Sequence, residues 1–145
     1  MIEHSDLINI DQKVNRLVNE YPKFDPYEIA KKRFIITEQE LPKQIDGMIT
    51  QVENEDVLIL NKNLNEIEKT IVVTKQIGND LLHESPATKK IMINCSNHKE
   101  TVQSELFVAS VFSRYMPPIL LKRVKEEYRL PFDIVEKYRS NQTAI

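Results

Sequence analysis

Only two glycines, Gly47 and Gly78, occur in the 145 residues, and this scarcity is the tightest limit on the fold. Tight turns draw on glycine for backbone angles that other residues avoid, so a β-sandwich of many hairpins is disfavoured and helices are favoured. Several of the seven prolines fall where helical patterns start or stop. The length suits one domain with its own core, residues 1–145, closing in a loose tail from about residue 140.

Composition narrows the class. With 41% apolar and 29% charged residues the chain reads as a soluble globular protein, and a net charge of −2 gives no global pull toward nucleic acid or anionic membrane. Cys95 is the one cysteine and cannot form an internal disulfide. The opening "MIEHSDLINIDQK" has no signal-peptide pattern, and no apolar run approaches the roughly 20 residues of a membrane span. A cytoplasmic protein without a membrane partner is expected.

Periodicity then sets the elements. Ile10, Val14, Leu17 and Tyr21 mark a first amphipathic helix that Pro22 ends. Asp25 and Pro26 read as N-cap and first position of a short second helix. "IDGMITQV" and "DVLILN" flank the polar turn "ENE" as an antiparallel hairpin, with "FIITEQEL" a third strand beside it and Gly47 at a bulge or close backbone approach. Asn65 and Glu68 form a capping box for a long helix. On that helix Ile67, Ile71, Thr74, Gly78 and Leu81 share one face, and Lys75, Asn79 and His83 form a polar row on another. Gly78 in mid-helix implies tight packing there. A strand-like core follows in "SPATKKIMINCSNHK", then a helix with Leu106, Ala109 and Ser113 on one face, the break at Pro117 and Pro118, and two short closing helices.

From about Tyr21 to about Tyr128 the chain resembles the ImmA/IrrE family of zinc metallopeptidases. "YEIA", "IDG", "LILNKNL", "G-x-x-LLH" and "MP" stand in the family's order. The resemblance implies an α+β fold: a small antiparallel three-stranded sheet packed on a zincin-like helical core, with a helical C-terminal part. In the family the long helix carries H-E-x-x-H, two zinc-binding histidines and a glutamate base, and a carboxylate from the next helix completes the site. Laid on that pattern, "KQIGNDLLH" keeps Gly78, Leu81, Leu82 and His83 but puts Lys75 and Asn79 at the ligand positions and Gln76 at the base position. The third ligand falls on Gln103, with Glu105 as the alternative.

Those replacements change the chemistry. An ammonium has no lone pair and repels a dication, amides are poor zinc ligands, and Gln76 has no titratable group to serve as general base. The resemblance therefore implies a degenerate site without catalytic residues, metal or cofactor. Either the Lys75 ammonium takes the place of the cation with the Asn79 and Gln103 carbonyl oxygens around it, or Lys75 is a solvated surface residue. A displaced zinc site at His83, Cys95 and His98 is the metal-bearing alternative, set against a buried thiol and surface histidines. Cys95 as a nucleophile is set against the same buried thiol. Arg114, Lys122, Arg123, Lys125 and Arg129 read as a solvated helix face more than a nucleic-acid patch.

Working members of the family inactivate helix–turn–helix repressors of phages and mobile elements. The expectation is a binder of such a repressor, an antirepressor acting by protein contact. Its cleft would be lined by Gly47, Met48, Ile49, Thr50, Lys75, Asn79, His83 and Gln103. The alternatives are a peptidase with unconventional ligands that cleaves the repressor, and a toxin–antitoxin or anti-defence protein that binds a host factor.

Overall fold

The computed structural model describes residues 4–23, 25–82 and 98–143. Helix α1 spans His4–Glu20 and α2 Pro26–Ala30; three strands follow, β1 (Ile35–Gln39), β2 (Gly47–Val52) and β3 (Glu55–Asn61). Helices α3 (Glu66–Leu82), α4 (His98–Tyr115), α5 (Pro118–Glu127) and α6 (Phe132–Thr143) complete the described chain. The α+β class is as expected. Helix α6 carries the chain past residue 140, so the loose tail expected from there is helical to Thr143. The strand-like core of "SPATKKIMINCSNHK" lies outside the described residues.

Local chemistry accounts for the ends of these elements. The Asp25 carboxylate accepts from the backbone N–H of Tyr27 at 3.0 Å, capping α2 ahead of Pro26. At α3 the capping box is reciprocal: Asn65 Oδ1 accepts from Glu68 N–H at 2.8 Å, and Glu68 Oε1 accepts from Asn65 N–H at 3.0 Å. The β2–β3 turn closes on Glu53 and Asn54, both with positive φ (51° and 70°), which matches the twist of a two-residue hairpin.

The sheet order is β1-β3-β2, with β2 antiparallel and β1 parallel to β3. The expectation of an all-antiparallel sheet is thus corrected at β1: the chain places β1 on the far side of β3 before returning through β2. Gly47 marks a close approach and no bulge, because β2 pairs residue for residue with β3. A Cβ there would stand 3.1 Å from both the Ile59 carbonyl oxygen and Val72 Cγ1 of α3.

Helix α4 runs through the middle of the molecule. Leu106, Phe107, Val108, Ala109 and Val111 are all 0% exposed, the signature of a helix apolar on every side. It packs on α1 through the Ile10–Val14–Leu17 stripe, on α3, and on α6, whose Phe132 and Val135 are buried. At Gly78, α3 lies close over the Phe107 ring.

Candidate functional site

A pocket of about 160 Å³ opens between α3, α4 and the residues after α5. Ile71 and Val72 form its apolar wall, Tyr128 and Leu130 face them, and Asp46, Glu68, Lys75, Glu105 and Arg129 bring charge. A larger open groove of about 600 Å³ runs by Tyr27, Ile35 and Thr37 along β1, away from these groups.

Asn61 fixes the connection that carries Asp46. It is buried, and its side-chain amide donates to the carbonyls of Leu41, Pro42 and Ile45, at 3.0 Å for the last. Its backbone N–H donates to the Asp46 carbonyl at 2.8 Å. The connection from β1 to β2 is thereby held down, and Asp46 is set at the pocket beside the first residue of β2.

Lys75 projects from α3 into this space and is 14% exposed. Its Nζ lies 3.7 Å from Glu105 Oε1 on α4, a charge contact longer than a hydrogen bond. Both expectations for Lys75 are corrected. It is neither solvated nor cradled by amides: Asn79 Oδ1 and Gln103 Oε1 are buried with no hydrogen-bond partner among the described residues. An ammonium prefers a carboxylate to a neutral carbonyl, and among the described residues Glu105 is the one that pairs with it.

Gln103 belongs to a different surface. It is 8% exposed and its amide donates to Asp6 of α1 at 3.0 Å. Two residues along a helix turn the side chain through about 200°, so Glu105 faces α3 while Gln103 faces α1. Of the two candidates on α4, Glu105 is the one that meets Lys75. Gln76 is buried, 5% exposed, and does not line the pocket.

The remaining expected cleft residues divide. Gly47 touches Val72, a pocket wall, while Met48 and Thr50 are half-buried on β2. Ile49 is 3% exposed and serves the core, so its side chain is no cleft contact. His83, Cys95 and the His98 side chain lie outside the described residues. Asp46, Tyr128 and Leu130 were not singled out from sequence for the site, and Arg129 was read only as part of the basic face. The "IDG" fragment held the one signal for Asp46.

Electrostatics single out Asp46. Burial pushes its carboxyl above the usual range, Lys75 pulls it back, and Glu68 pushes it up again. Among the described residues its carboxylate has no hydrogen bond or ion pair. Glu68 is engaged by the α3 cap and Glu105 by Lys75. On the basic face, Arg114 meets Asp11 at 3.5 Å, Arg123 meets Glu127 at 3.1 Å and Lys125 meets Glu136.

The donor set does not fit zinc at Lys75 and Asn79: the first is a cation and the second a neutral amide. Among the described residues no group of three or more His, Cys, Asp and Glu side chains is placed to hold a metal ion. None of their helices is long and apolar enough to cross a membrane.

Fold and pocket together define an α+β protein with an ion-paired pocket beside an edge strand. The chain is 31% identical over 75 residues to uncharacterized immunity region protein 2 of Bacillus phage phi105, a match covering 51% of this chain and 48% of that protein. The chain thus spans about half the length of the curated relative it matches. No family model matches the chain, and no solved structure matches it.

Proposed function

We propose that this chain is a catalytically silent relative of the ImmA/IrrE peptidases. It acts in phage or mobile-element regulation by binding a helix–turn–helix repressor. The observation that carries the reading is the Lys75–Glu105 pair. It sets a positive charge in the pocket where, on the family pattern, a metal-bound water would be activated. An ammonium held by a carboxylate offers neither a Lewis acid nor a base. The likeness to a protein named for a phage immunity region supports the regulatory setting.

Strand β2 supplies a means of binding. Asp46 pairs with Asn61 through the hydrogen-bonding position of the ladder, so the backbone groups of Gly47, Ile49 and Gln51 point away from β3; Gly47 and Ile49 are buried, and the accessible end of this edge is Gln51 and Val52. An extended segment of the repressor adds there by β-augmentation. Binding the DNA-free form of the repressor more tightly than the DNA-bound form shifts it off its operator.

The test is a titration of repressor–operator complex with the purified chain, using the helix–turn–helix repressor encoded beside it. Release of DNA at a stoichiometric ratio, with the repressor intact by mass spectrometry, is expected. Repressor cleavage at substoichiometric amounts, abolished by a chelator, would overturn the proposal in favour of a peptidase.

A further inference from the structure

The pocket beside β2 holds a carboxylate in need of a counter-charge. Asp46 is half-buried in its lining, and among the described residues its side chain has no hydrogen bond or close ion pair; the Lys75 charge acts on it only at a distance and is already matched to Glu105. Glu105 is matched by Lys75, and one Glu68 oxygen is taken by the α3 cap. An unpaired carboxylate partly withdrawn from water is unfavourable, and a cation from outside relieves it.

Size and walls select the form of that cation. At about 160 Å³ the pocket is smaller than the roughly 300 Å³ at which drug-sized ligands begin, and it suits a single side-chain end. Tyr128, Ile71, Val72 and Leu130 provide aromatic and apolar surface. A guanidinium tolerates such surroundings better than an ammonium, being planar, weakly hydrated and able to stack on an aromatic ring.

We infer that this pocket receives an arginine side chain of the polypeptide partner, with Asp46 as its principal counter-ion. The inference rests on the reading that the chain works by binding a protein, and it names the residue type that partner presents.

The test titrates the intact chain with N-acetyl-L-arginine methylamide and, as an isosteric neutral control, N-acetyl-L-citrulline methylamide. Backbone amide shifts are followed by NMR. The arginine probe is expected to move Asp46, Gly47 and Leu130 in a saturable way, and at least tenfold more tightly than citrulline. Asp46→Asn is expected to weaken arginine binding at least tenfold. Arg129→Ala removes a like charge from the rim and is expected to tighten it, which keeps the inference testable should Asp46→Asn fail to fold. Equal response to both probes, unchanged arginine binding in Asp46→Asn, or weaker binding in Arg129→Ala would overturn it. Failure here leaves repressor capture standing, whereas arginine binding without DNA release removes the proposed function and leaves the pocket assignment.

Discussion

A methyl group added at Gly78 would land 2.7 Å from Phe107 Cδ1 and 2.8 Å from Cγ, and Phe107 has no room to retreat at 0% exposure. Helix propensity alone would make Gly78→Ala favourable by about 1 kcal/mol. Overpacking costs about 1–3 kcal/mol and decides the sign, so urea denaturation is expected to show a less stable variant. Asp46 gives the opposite kind of prediction. Its folded pKa is raised, so between about pH 4, the unfolded value, and the higher folded value the native state holds more protons. Stability contributed by this group therefore falls as pH rises through that window. Asp46→Asn is expected to melt higher than the parent at pH 7, with the advantage vanishing below about pH 4. At Lys75, the double variant Lys75→His, Asn79→His would place two imidazoles one turn apart opposite Glu105. Stoichiometric zinc uptake by the variant, measured by metal analysis after dialysis, is the expected outcome. No uptake would count against the placement of Glu105 as the third group.

The hairpin is the element whose chemistry is least matched to its geometry. Glu53 adopts φ 51°, a region costly for a residue with a Cβ and without a short amide to bond locally. Replacing Glu53–Asn54 by Asn–Gly suits both positions and is expected to raise stability by about 0.5–1 kcal/mol, read as a shift in denaturant midpoint at constant slope. Elements specified by their own residues were legible in the sequence. The Asp25 cap, the hairpin and the Asn65–Glu68 box arise from contacts within a few residues, and the α1 stripe shows as a local periodicity although α4 buries it. The direction of β1 was not legible, because parallel or antiparallel pairing depends on the path of residues 40–46, and that path is held by Asn61 from another strand. The facing of Gln103 and Glu105 was hidden for a similar reason. The rotation of α4 about its axis is set by packing on three neighbours at once.

At the scale of the whole molecule, α4 is the element on which α1, α3 and α6 converge. Its residues from Leu106 to Phe112 are buried throughout, with Ser110 receiving Arg139 of α6 at 3.0 Å through both its carbonyl and its hydroxyl. Opening α4 means dismantling α1, α3 and α6 contacts together. Hydrogen exchange is therefore expected to be slowest for the amides of Phe107–Phe112 and faster by orders of magnitude on α5, whose one buried side chain is Val124. Fast exchange in the middle of α4 would contradict this arrangement. The charge pair on the α3–α4 seam also bears on how such a protein changes over generations. Exchanging Lys75 alone strands the Glu105 carboxylate in a partly dry cleft, and exchanging Glu105 alone strands the ammonium. Each single exchange is therefore expected to cost more stability than the paired one, so the two positions are tied to change together.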